Sequence, residues 1–198
     1  MGDYDNLDGT GLDISADEAI VGTAVESGPA FSTNTTYSNP PFSMSYLWYY
    51  NLLLSKGYHL GPTIDHDNHN MTFGKTVKSR LAILAPGLSE NDLLDGMRRM
   101  RFYASEDCNA RINFSIHSQP MGTIFTYPGA PMITVSCATT APISSLKLMT
   151  GVPGSGNIAT ELTNVSGGTL NYSDNALANV SQQYYYLDIT ETDGTRII

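Results

Sequence analysis

Histidine, cysteine, positive charge and long apolar runs are all scarce in this chain, and each scarcity argues against a class of function. Ten Lys and Arg stand against 19 Asp and Glu, a formal charge of −9 over 198 residues. Without a basic footprint there is no electrostatic basis for gripping nucleic acid or an anionic membrane surface. No apolar run approaches the roughly 18 residues that cross a bilayer, so no membrane span is expected. The start, "MGDYDNLDGTGLD", is acidic and polar and has neither the basic nor the apolar region of a signal peptide. Cys108 and Cys137 lack C-x-x-C spacing, which argues against a thiolate zinc site. A single disulfide or two separate buried thiols would both satisfy the sequence. G-x-S-x-G is absent and Cys108 has no histidine beside it in sequence, so covalent catalysis has no support. "GVPGSGN" at 151–157 lacks the Lys-Ser/Thr of a phosphate loop and reads as a turn.

What is abundant is Ser, Thr, Asn, Gly and Tyr. Six N-x-[ST] triplets occur, at Asn34, Asn70, Asn113, Asn164, Asn171 and Asn179. An Asn/Ser/Thr-rich chain also produces such triplets by chance, but the low-lysine surface leans towards a secreted or periplasmic protein. Along the chain, "AIVGTAVE" (19–26) reads as a buried strand, and the polar stretch through "NPPF" (39–42) as a loop. "SMSYLWYYNLLLSKG" (43–57) reads as a helix ending at Gly57, with Tyr46, Leu47, Tyr50, Leu53 and Leu54 on one face. Trp48, Tyr49 and Tyr50 would anchor it in the core. Strands are expected over 58–64 and 80–86, and a helix opening at Ser89 with Asp92 in a capping pattern. Leu93, Leu94, Met97 and Met100 would form its buried stripe, with Arg98, Arg99 and Arg101 on a wet face. After residue 108 come "ARINFSIH", "GTIFTY", "MITVSCA", "SSLKLMT", "IATELTN" and "YYYLDITE", short runs separated by Gly, Pro, Asn and Asp. Their spacing indicates an all-β sandwich.

The densest chemistry lies in "PTIDHDNHNMTFG", 62–74, which holds two of the chain's four histidines beside two aspartates. Carboxylate and imidazole together suit zinc, manganese or iron. In an extended segment Asp65, Asp67 and His69 would share one face, with His66 and Asn68 on the other. A solvated polar loop is the plain alternative. Nearby, Lys75, Lys78 and Arg80 read as a solvated charge run, or as cations that could meet a phosphate. His59 and His117 read as strand residues.

Three pieces in order resemble the carboxyl-terminal part of PHP-superfamily (polymerase and histidinol phosphatase type) metal-dependent phosphoesterases. They are "WYYNLLLSKGYHLGPTIDHDNHN", "SRLAILAPGLSENDLLDGMRRMRFYASED" and "NARINFSIHSQPMGTIF"; the closing "YYYLDITETDGTRII" is similar to the end of the small β-domain that often follows. The resemblance implies a partial β/α-barrel fragment over 1–107 and a β-sandwich domain over 108–198, an α+β or α/β chain overall. It implies that Asp67 and His69, matching a late D-x-H motif, are metal ligands, and that the parent protein hydrolyses small phosphoesters with metal-activated water. Glu26 could correspond to an acidic residue that some relatives place at a strand end.

The pattern is incomplete. No histidine precedes His59 and no H-x-H exists, whereas the family carries one near its amino terminus. A truncated reading frame or a degenerate relative would explain this. Either way a divalent metal would be held weakly or incompletely, turnover would be slight, and uncovered barrel surface would favour self-association. The rival expectation is a non-catalytic extracellular module whose β-sandwich contacts glycan or protein.

Overall fold

The computed structural model describes residues 11–36, 46–176 and 182–198. The loop expected at 39–42, the first residues of the 43–57 helix and the triplet at Asn179 lie outside them. The described chain runs α1 (Ile14–Ala19), β1 (Gly22–Ser27), α2 (Leu47–Lys56), β2 (Gly61–Asp65), β3 (Arg80–Ile83), α3 (Glu90–Arg98), β4 (Phe102–Ser105) and β5 (Arg111–Ile116). It continues with β6 (Gln119–Pro120), β7 (Met132–Ala138), β8 (Ile143–Gly151), β9 (Thr160–Val165), β10 (Thr169–Ser173), β11 (Tyr184–Glu191) and β12 (Arg196–Ile197).

These strands form three sheets. β1 and β2 pair in parallel; β10-β7-β5-β6 make a four-stranded sheet; β3-β4-β12-β11-β8-β9 make a six-stranded one. The expected β/α-barrel fragment is therefore corrected: the fold is mostly sheet, 37% strand against 16% helix, and among the described residues no β/α barrel is evident. A β/α barrel needs successive parallel strands, each followed by a helix. Among the described elements only β1–α2–β2 meets that requirement. β3 and β4, although separated by α3, pair antiparallel from Arg80↔Ser105 to Ile83↔Phe102 and enter the six-stranded sheet. That sheet consequently draws strands from both sides of residue 107.

Alternation along the central strands sets the layering. Tyr103, Leu148, Leu187, Ile189 and Ile197 join one buried cluster with Ile112, Ile133, Val135 and Leu170 of the four-stranded sheet. Their neighbours Ala104, Met149, Tyr186 and Ile198 join a second cluster with Val25 of β1 and Tyr50, Leu53 and Leu54 of α2. The six-stranded sheet is thus apolar on both faces, against a second sheet on one side and the β1–α2–β2 unit on the other. Gly57 ends α2 in the left-handed region at φ 102°. Tyr50 sits edge-on to Tyr186, whose hydroxyl donates to Asn51 Oδ1 (2.6 Å), while Trp48 is turned outward.

Candidate functional site

The Asp/His loop begins where β2 ends. Gly22 and Gly61 stand opposite each other at the start of the parallel pair, with the Phe102 ring of β4 lying against both. At the other end Ser27 pairs with Asp65, so the chain leaves both strands side by side, the position where α/β units gather polar groups. Three neighbours then fix the loop. Gly28 N–H donates to Asp65 O (2.8 Å) and His69 N–H to Ala30 O (2.8 Å), while Asn70 Nδ2 and Thr72 Oγ1 both reach Ser32 O. Gly28 permits this approach, since a Cβ there would fall 2.6 Å from His66 O.

The loop is not extended. Asp67 takes φ 46°, and its N–H is capped by Asp65 Oδ1 at 2.7 Å, a local Asx turn that breaks the simple alternation of faces. His66 turns inward and donates through Nε2 to Ser79 O (2.6 Å); Asn68 Nδ2 donates to Thr72 Oγ1 (2.7 Å). Asp67 and His69 remain outside and together. Their side chains are 40% and 53% exposed, with His69 Nδ1 3.6 Å from Asp67 Oδ1. His69 Nδ1 lies 2.8 Å from Asp67 O, so it donates there and leaves Nε2 with its lone pair. Metal-bound histidines are commonly oriented this way by a backbone carbonyl. Phe31 packs on the His69 ring at 4.9 Å.

As donors, this carboxylate and this imidazole suit a divalent ion, but two groups do not close a tetrahedral shell. Among the described residues no group of three or more His, Cys, Asp or Glu is placed to hold a metal. No hydrolytic step can be derived from these residues.

The other sequence candidates have separate employment. His59 is exposed and pairs with Asp17 of α1 (2.8 Å). His117, at φ 50°, stacks on Tyr127 with ring centres 3.6 Å apart and accepts from Met132 N–H through Nε2. Arg80 donates to Val77 O, Ser79 O and Gly74 O, closing the 74–79 loop, while Lys75 and Lys78 are exposed. Arg99 bonds Asp95 on the outer surface of α3. Cys108 and Cys137 are free thiols, and burial pushes Cys137 up to about 12.

Sequence reasoning singled out Glu26 but missed the buried carboxyls grouped with it. Glu26 on β1 and Glu106 just after β4 are buried and interact with each other, and burial raises both to about 7. Ser79 Oγ donates to Glu26 Oε1 (2.8 Å), and Arg196 N–H to Glu106 Oε2 (2.6 Å). Glu191 and Asp107 form a second buried pair. The signal available was Glu26 at the end of an apolar run and "ED" directly after the apolar "FYAS". No family model matches the chain, and no curated protein or solved structure is significantly similar to it.

Proposed function

We propose that this chain carries a metal half-site of a PHP-like phosphoester hydrolase, with Asp67 and His69 as two ligands of a zinc, manganese or iron ion. The observation that supports the reading is the orientation of His69, whose Nδ1–H is held by Asp67 O while Nε2 stays open beside the Asp67 carboxylate. The remaining ligands would come from polypeptide outside the described residues. Beside the loop, Phe31, Met71 and Phe73 are exposed, an apolar surface suited to being covered by such a partner. A bound ion would lower the pKa of its water and offset phosphoryl charge. The chain's own part is to orient two donors.

A second reading, a non-catalytic module that contacts neutral glycan, draws on a different feature. A groove of about 1370 Å³ is lined by aromatic and amide side chains, among them Phe125, Tyr127, Tyr184, Gln119 and Gln183. Titration with manganese or zinc, with elemental analysis, separates the two. The half-site reading expects weak binding of one ion or less per chain, reduced in Asp67→Ala and His69→Ala. Two or three ions held stoichiometrically, or binding indifferent to both substitutions, would falsify it. Metal-independent binding of a neutral oligosaccharide would favour the module.

A further inference from the structure

Two consecutive residues, Glu106 and Asp107, leave β4 and turn to opposite buried partners. Glu106 meets Glu26 of β1, and Asp107 meets Glu191 of β11; all four are buried. Their surroundings divide them, Asp107 being held as an anion while its partner and the Glu26–Glu106 pair are short of donors. Asp107 accepts Asn109 N–H (2.8 Å), Thr140 N–H (2.7 Å) and the Thr140 hydroxyl (2.9 Å), the environment of an anion. Glu191 Oε2 accepts Ala141 N–H (2.8 Å), but its Oε1 is buried without an N–H or O–H donor. Glu26 Oε2 is in the same position. A buried acceptor left bare is costly, and a proton held between the facing carboxyls relieves the cost.

We propose that Glu106 and Asp107 form a double proton-dependent clamp, each sharing one proton with a carboxyl from a distant strand and so fastening β1 and β11 to the β4–β5 corner. The first pair ties the β1–α2–β2 unit to the six-stranded sheet. The second ties β11 to the β7–β8 turn through Thr140 and Ala141. Arg196 acts on the first pair; its charge opposes protonation of Glu106 but is itself engaged by Asp188, 2.8 and 2.9 Å from Nη2. Asp193, in the β11–β12 turn, adds negative charge that favours the proton on Glu191.

The direction with pH follows. Glu26, Glu106 and Glu191 are all raised from 4.5 to about 7, chiefly by burial. Groups raised on folding contribute stability that is full below the ordinary carboxyl range and lost as pH climbs through about 7. The net charge of −9 also favours the acid side, so wild-type behaviour alone does not separate the two causes. Neutral isosteres do, because a glutamine amide donates where the proton stood.

The experiment is thermal unfolding between about pH 5 and about pH 8.5 for wild type and the Glu106→Gln/Glu191→Gln double variant. The clamp requires the wild-type Tm to fall by about 5 °C or more across this range, and by less than half as much in the double variant. A flat wild-type profile, or an equal fall in both proteins, overturns it. Should the variant fail to fold, infrared spectroscopy of the wild type decides: a protonated-carboxyl C=O band persists at about pH 6, where exposed carboxyls are ionised, and vanishes above about pH 8. Absence of that band at the lower pH overturns the clamp.

Discussion

Phe102 shows how much can depend on what a single residue lacks. Its ring covers Gly61 and Gly22, and a Cβ on Gly61 would stand 2.5 Å from Cε2 and 2.7 Å from Cζ of that ring. Neither glycine has a positive φ, so backbone freedom is not the reason for them; close approach of β4 to the β1–β2 pair is. Phe102 is itself buried and has little room to retreat. Gly61→Ala should therefore cost about 1–3 kcal/mol as overpacking, read as a lower urea midpoint with an unchanged slope. Unaltered stability would show that the ring can slide and that the contact is soft. Nothing local in "YHLGPTI" announces this, because the constraint comes from a ring about forty positions downstream.

Elements were legible where their cause is local. Ser89 caps α3 as its sequence suggests, accepting Asp92 N–H at 3.2 Å and donating to Asp92 Oδ2 at 2.7 Å. Ser89→Ala should lower stability by about 1 kcal/mol, and a smaller cost in Ser89→Asn would tie the loss to the cap. The same urea midpoints would check it, and equal losses in the two variants would argue for packing instead. Strands β7 and β11 coincide with "MITVSCA" and "YYYLDITE", since alternation and turn residues are written along the segment itself. The α3 stripe was less readable. Leu94 is 37% exposed, and the buried position is Gly96, where a Cβ would meet Ile83 Cγ2 at 2.8 Å. Helix and strand approach through a missing side chain, which apolar periodicity cannot register. "GTIFTY" has strand-like composition yet contains no strand, because Gly122 (φ 80°) carries this segment against the backbone of Arg99 and Met100. Strand β10 and helix α1 had no counterpart in the sequence reading: β10 is defined by pairing with β7, and α1 is a single short turn capped by Asp13.

At the scale of the whole molecule the unread feature is connectivity. The D-x-H loop could be picked out by composition, but its Asx turn and its attachment to residues 28–32 and 72–79 depend on β1 and β2 lying side by side. The six-stranded sheet is more extreme, because its two halves meet through the last strand. β12 pairs with β11 at Ile189↔Ile197 and Thr190↔Arg196, and with β4 at Ile197↔Ser105. Three further bonds, Ala104 N–H to Ile198 O (3.1 Å), Ile198 N–H to Ala104 O (3.0 Å) and Glu106 N–H to Arg196 O (3.0 Å), extend the seam. Ile197 belongs to the core between the sheets and Ile198 to the core under α2, so this short strand closes both. Removing residues 195–198 would expose β4 and β11 as unpaired edges, open both cores and strip Glu106 of the Arg196 N–H. The loss should exceed the effect of any single core substitution, of which about 2–5 kcal/mol is usual, and bring the protein near the limit of marginal stability. The expected result is a chain that has lost its cooperative thermal transition and protects few amides from hydrogen exchange. A shortened protein that still melts cooperatively near the wild-type Tm would mean that β3–β4 and the β8–β11 strands are held together by the layers above and below, not by the strand between them.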